Sequence, residues 1–253
     1  MKRDAIDFER DRVSALFRKL LIPTLLGTIS ISAVTAIDGI FVGHGVGADG
    51  VAAVNIVVPI YQIMSGIGLM IGAGCSVVAS IHLSRQNTRV AQLNVSQAII
   101  LTSLFVGIIS ALAFAFPVPV AKVLGASDTL MPQVVDYLRC IMPCYLFDMW
   151  SMIGLFIIRL DGSPRYAMWC NIVPSVLNVV LDWLFIFPLG MGVKGAAIAT
   201  VVSQAVSAIW ILRFLTGKKT ILKLKSANMK LIPSIIMPCL GLGVSTFVML
   251  STE

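Results

Sequence analysis

The sequence predicts an all-α polytopic membrane protein, and three observations carry that reading. Hydrophobic residues make up 58% of the 253 residues and charged residues only 12%, whereas a soluble domain carries about 25% charged residues. The apolar residues gather into runs as long as the roughly 20 residues that a helix needs to cross a bilayer. Lys and Arg collect between alternate runs, the pattern of cytoplasmic loops.

Seven runs qualify: Leu20 to Phe41, Val51 to Ile81, Val90 to Ala115, Val134 to Ile158, Tyr166 to Phe187, Val193 to Leu212 and Leu231 to Leu250. The first 19 residues hold Lys2, Arg3, Arg10, Arg12, Arg18 and Lys19, and the next even-numbered junctions hold Arg85 with Arg89 and Arg159 with Arg165. Residues 213–230 add Arg213, Lys218, Lys219, Lys223, Lys225 and Lys230, whereas the opposite loops hold only Lys122 and Lys194. The N-terminus is therefore expected in the cytoplasm, with the chain multi-pass in the cell inner membrane. The net charge of +7 follows from this topology, so membrane lipid and not nucleic acid is the expected surrounding partner.

The domain reading follows: a cytoplasmic N-terminal segment at 1–19, a six-helix transmembrane bundle at 20–212, a basic cytoplasmic linker at 213–230 and a further span at 231–253. The charged start and the length of the first run exclude a cleavable signal peptide. Phe8, Val13, Leu16, Phe17 and Leu20 recur at helical spacing, so residues 5–20 form either an interfacial helix or a solvated lead-in.

Small residues recur every fourth position in the second span, at Gly68, Gly72, Ser76 and Ser80, and in the sixth, at Gly195, Ala199, Ser203 and Ser207. Such faces let helix backbones approach closely in lipid. Gly43 to Gly47 follows a membrane helix rather than a strand, which excludes a phosphate loop and leaves His44 in an outer loop. The five cysteines all fall inside spans with no His or further Cys at ligand spacing, and are expected to pack; no metal site beyond Na⁺ and no cofactor is expected.

Chemistry concentrates in Asp38, Asp148 and Asp182, each inside an apolar run. Ionisable groups in the hydrocarbon region are costly and face a wet, protein-lined interior. At about 1.5 Å of rise per residue, Asp38 and Asp182 fall level with each other in the outer half of the membrane, and Asp148 lies nearer the middle. Asn178 precedes Asp182 by one turn and puts an amide on the same face. Low dielectric disfavours two adjacent ionised acids, so a bound proton, Na⁺ or cationic ligand competes for the same charge.

Four segments then resemble one family. Ile22-Pro23 with Ala36-Ile37-Asp38-Gly39-Ile40-Phe41-Val42-Gly43, Arg159-Leu160-Asp161-Gly162-Ser163-Pro164-Arg165, Asn178-Val179-Val180-Leu181-Asp182, and Gly192-Val193-Lys194-Gly195-Ala196-Ala197-Ile198-Ala199-Thr200 resemble, in order, the first, fourth-to-fifth, fifth and sixth helices of the multidrug and toxic compound extrusion (MATE) family. The resemblance implies two six-helix lobes around a cavity, with H⁺- or Na⁺-coupled antiport exporting organic cations or amphipathic compounds. It also implies no enzymatic activity. It places the coupling-cation site of the DinF-like branch on Asp38, Tyr137, Asn178, Asp182 and Thr200, and a helix-bending role on Pro23; Leu155 stands where the family often has asparagine. Asp148 has no family counterpart and is assigned either to the substrate path or to a structural contact.

Family members have about twelve spans, so this chain is expected to be a truncated N-lobe with the start of a C-lobe, the missing C-lobe being a candidate partner. Two other functions compete: a lipid or polyisoprenoid-glycan flippase, disfavoured because Arg139 is the one basic residue expected within a span, and a non-transporting remnant. An intramembrane hydrolase is disfavoured for want of a Ser/His pair or metal cluster at matched depth.

Overall fold

A computed structural model describes residues 12–217, 220–224 and 237–244. They form seven helices: α1 (Val13–Gly45), α2 (Ala48–Ser84), α3 (Thr88–Ala115), α4 (Pro117–Val123), α5 (Met131–Leu160), α6 (Pro164–Ile186) and α7 (Val193–Leu215). A further helical stretch covers 237–244. Six of the seven are long and apolar enough to span a membrane. The chain is an all-α polytopic membrane protein.

The helix boundaries follow local chemistry. Asn87 precedes α3 and its side chain accepts from the Val90 backbone N–H at 3.4 Å, filling one orphan donor of the first turn. Between α5 and α6 the chain turns in three residues, with Gly162 at φ 82° and Pro164 starting the next helix. Glycine adopts that left-handed backbone without a Cβ penalty, and proline at a helix start forfeits only an N–H that lacks an intrahelical partner anyway.

Helix α5 is the hub, packing on α7, α2 and α3; α6 packs on α7, and α1 packs mainly on α6. The small-residue stripes explain the closest approaches. A Cβ on Gly68 would strike the Met149 sulfur, and one on Gly72 would meet Phe156 and Ile153, so α2 lies against α5. Gly154 of α5 similarly accommodates Ile211 of α7. The Ser207 hydroxyl donates to the Cys170 carbonyl at 3.1 Å and ties α7 to α6. Cys75, Cys144, Cys170 and Cys239 are buried, and the Cys239 thiol donates to Asn94 Oδ1 at 3.3 Å, joining the 237–244 helix to α3.

Three expectations change. The short helix α4 was not foreseen; Pro117 sits at its first helical position, where proline is tolerated. His44 lies in the last turn of α1, exposed, rather than in a loop. Helix α1 begins at Val13 and runs unbroken through Pro23, so the portion of 5–20 that is described is part of the first long helix. Residues 1–11, most of 218–230 and most of the seventh run lie outside the described residues.

The start of the linker docks on one end of the bundle. Asp161 Oδ1 accepts the backbone N–H of Ile221 at 2.8 Å and of Leu222 at 3.3 Å. Gln92 donates to the Ile221 carbonyl at 2.7 Å, the Leu224 N–H bonds the Leu215 carbonyl at 3.0 Å, and Leu222 is fully buried in the core cluster.

Candidate functional site

The packing of α1 on α6, α6 on α7 and α7 on α5 brings residues from all four into a common region. Asp182, on α6, is 0% exposed, and neither carboxylate oxygen has a hydrogen-bond partner. Asp38, on α1, is near enough to act electrostatically on Asp182, and both act on Tyr137 of α5. One Asp38 oxygen is likewise buried and unpartnered. One turn before Asp182, the Asn178 amide donates to the Thr200 hydroxyl at 3.4 Å, and that hydroxyl donates to the Ala196 carbonyl at 2.9 Å. Thus the five residues selected from the sequence come together from four helices.

What they assemble is an oxygen-rich set in low dielectric. Two carboxylates, a phenol, an amide and a hydroxyl are hard donors suited to a proton or a small hard cation. The unpartnered buried oxygens of Asp182 and Asp38 are the observation that fits such an ion, since buried polar atoms are ordinarily satisfied. Among the described residues no group of three or more His, Cys, Asp or Glu side chains forms a metal cluster. Pro23 is buried in the first third of α1, on the same helix as Asp38.

A cavity of about 480 Å³ adjoins this set and is lined from α1, α2, α5, α6 and α7. Its volume is within the range of small-molecule sites. Asp38, Tyr137, Asn178 and Thr200 are on its wall, and so is Asp148, whose Oδ2 is buried without a partner. Helix α5 presents Tyr137, Ile141, Tyr145, Asp148, Ser151, Met152, Leu155 and Arg159 to this space, a continuous i, i+3, i+4 stripe.

Several wall residues escaped the sequence reading. Tyr61, Tyr145, Asn171 and Gln204 line the cavity, but single polar residues within long apolar runs carry no periodic signal. Ser203 and Ser207 were assigned to close packing and also face the cavity. Arg139 lies within α5, as expected, and is exposed, but it is not alone there: α5 extends to Leu160, so Arg159 lies in its last turn and on the cavity wall. The periodicity of α5 itself could have found both Tyr145 and Arg159.

Six membrane-length helices, five of which line a shared cavity, define a multi-pass membrane protein. The MatE family model matches residues 23–184, more than half of the chain, and the chain belongs to that family. It is 27% identical over 199 residues to an FAD transporter of Shewanella oneidensis, covering 77% of this chain and 44% of that protein. It is 25% identical over 248 residues to the multidrug export protein MepA of Staphylococcus aureus, covering 96% of this chain and 54% of that protein. A crystal structure of MATE in complex with MaD3S superposes with a TM-score of 0.85 at 25% identity, over 94% of this chain and 53% of that one. The chain thus spans about half the length of the curated relatives it matches.

Proposed function

We propose that this chain forms the ion-binding lobe of a secondary active transporter that exports organic cations or other amphipathic small molecules in exchange for H⁺ or Na⁺. The observation that carries the proposal is Asp182, fully buried with both carboxylate oxygens unpartnered, beside Asp38 and one turn from the Asn178–Thr200 contact. An acid in that setting is either protonated or holds a cation, and its cost is tolerated where it serves transport.

The mechanism follows from the geometry. Asp38 is on α1 and Asp182 on α6, so a proton or Na⁺ between them screens one acid from the other and draws the two helices together; without it, like charges push them apart. Asn178, Thr200 and Tyr137 would complete the oxygen shell. Because α1 forms one wall of the cavity and contains Pro23, which removes a backbone hydrogen bond within the helix, occupancy of the site biases the shape of the cavity. This cation coupling, a cytoplasmic N-terminus and an inner-membrane location belong to the same proposal.

Efflux of ethidium from proteoliposomes under imposed Na⁺ or pH gradients tests it. Gradient-driven efflux by the wild type and its loss in Asp182→Asn are expected; full ion-coupled efflux by Asp182→Asn would refute the role given to that residue. A second reading draws on Arg159 at the cavity wall and on the FAD transporter relative: a phosphate-bearing anionic substrate. Gradient-driven uptake or release of FAD, abolished by Arg159→Gln, would favour it.

A further inference from the structure

We infer that Asp148, Tyr61 and Tyr145 form a separate organic-cation site in the cavity, distinct from the Asp38–Asp182 pair. The inference deepens the proposed function and rests on its reading of the cavity as a ligand chamber. Asp148 lies on the cavity wall with Oδ2 buried and unpartnered. Tyr145 precedes it by three residues on the same face of α5, and Tyr61 reaches the cavity from α2. The two tyrosine rings sit 5.8 Å apart, tilted by 37°. Both rings, with Cys144, lie within electrostatic range of Asp148.

This composition selects a class of ligand. The Asp38–Asp182 region offers carboxylate, amide, phenol and hydroxyl oxygens, which replace the hydration shell of a small ion. Around Asp148 the wall is Tyr61, Tyr145, Cys144, Ser151 and Met152, which supplies one formal charge, two aromatic rings and soft sulfur. Aromatic faces attract weakly hydrated organic cations, quaternary ammonium above all, and a single carboxylate adds the countercharge. Thioether and thiol groups pack against irregular apolar surfaces.

The two acid sites lie at different levels of the cavity and meet on α5. Tyr137, which Tyr145 influences along with Asp38 and Asp182, precedes Asp148 by eleven residues on α5, or roughly 16 Å of helix rise at about 1.5 Å per residue. The Asp148 carboxylate is thus a separate group from the Asp38–Asp182 pair, and Tyr145 and Tyr137 connect the two along α5. Coupling between the two then acts through the shared walls of α1 and α5 rather than through competition for one carboxylate.

The test is ethidium binding to the purified full chain in nanodiscs, read by fluorescence polarisation, with the neutral probe N-phenylnaphthylamine as the charge control and circular dichroism as the folding control. Asp148→Asn is expected to weaken ethidium at least tenfold and to leave the neutral probe within twofold. Asp148→Glu retains most of the affinity. Tyr61→Leu and Tyr145→Leu each weaken ethidium several-fold, whereas the phenylalanine variants bind as the wild type does, which keeps the inference falsifiable if Asp148→Asn fails to fold. Wild-type affinity in a folded Asp148→Asn variant, or equal affinities in the leucine and phenylalanine variants, would overturn the site. So would a loss in Asp182→Asn as large as that in Asp148→Asn. Those results leave gradient-driven efflux intact, whereas absent efflux with Asp148-dependent ethidium binding would remove the transport reading and retain this site.

Discussion

Replacing Asp161 by Ala should release the linker that follows α7. The Asp161 carboxylate accepts two consecutive backbone N–H groups, from Ile221 at 2.8 Å and Leu222 at 3.3 Å, and is 2% exposed. Hydrogen bonds to a charged group are worth about 1.5–3 kcal/mol each, and the longer one falls at or below the lower end. Alanine therefore costs about 3 kcal/mol of linker docking. At 1.4 kcal/mol per decade this raises the undocked population on the order of 100-fold. Burial of the Leu222 side chain opposes full release by about 2 kcal/mol, so the bundle stays folded while the linker opens more often. Trypsin cleavage after Lys223, followed by mass spectrometry on the chain in nanodiscs, reads that population when reclosing is fast relative to cleavage. Asp161→Asn keeps an acceptor oxygen without the charge and should fall between wild type and Ala. A cleavage rate in Asp161→Ala within twofold of wild type would refute the assignment of Asp161 as the anchor.

Four further outcomes are expected. Gly154→Val inserts carbon into the α5–α7 crossing occupied by Ile211 and should destabilise by about 1–3 kcal/mol or more, read as a lower midpoint in thermal unfolding. Ser103→Ala leaves the Trp150 indole N–H without its 2.7 Å partner, costs about 1–3 kcal/mol and should shift the tryptophan emission. Ser207→Ala removes the α7–α6 bond to the Cys170 carbonyl, and a loss of about 1 kcal/mol is expected from the same unfolding measurement. By contrast, Lys194→Ala breaks a 3.0 Å ion pair with Asp136 whose side chains are 51% and 43% exposed, and should change stability by less than about 1 kcal/mol.

The sequence was most informative where the signal is local. Hydropathy located five of the six described spans to within three residues, and the first to within seven, because the need for an apolar helix in lipid applies to each segment separately. The stripes at Gly68 and Gly72 were legible for the same reason, although which helix they face was not: Met149, Ile153 and Phe156 are 81 or more positions away. The extra helix α4 was hidden by its prolines, since a proline at a helix start and one that breaks a helix look alike in sequence. Asp161 was visible only as part of a turn motif; its two partners lie 60 and 61 residues later.

The candidate site divides along the same line. That Asp38, Asp148 and Asp182 lie inside membrane spans, and that Asn178 shares a face with Asp182, follows from residue order and a helical repeat of 3.6, which hold whatever the partners. That Asp38 comes near Asp182 across 144 positions, that Tyr137 and Thr200 close the same region, and that Asp148 lines a cavity with Tyr61 and Tyr145 is a matter of which helix faces pack together. Packing in lipid depends on the shape complementarity of whole faces rather than on the exclusion of apolar surface from water, so no single segment encodes its partner. The sequence alone determined which carboxylates lie within the membrane spans and on which helices; only the tertiary structure decided which of them are neighbours and that Arg159 joins the cavity wall.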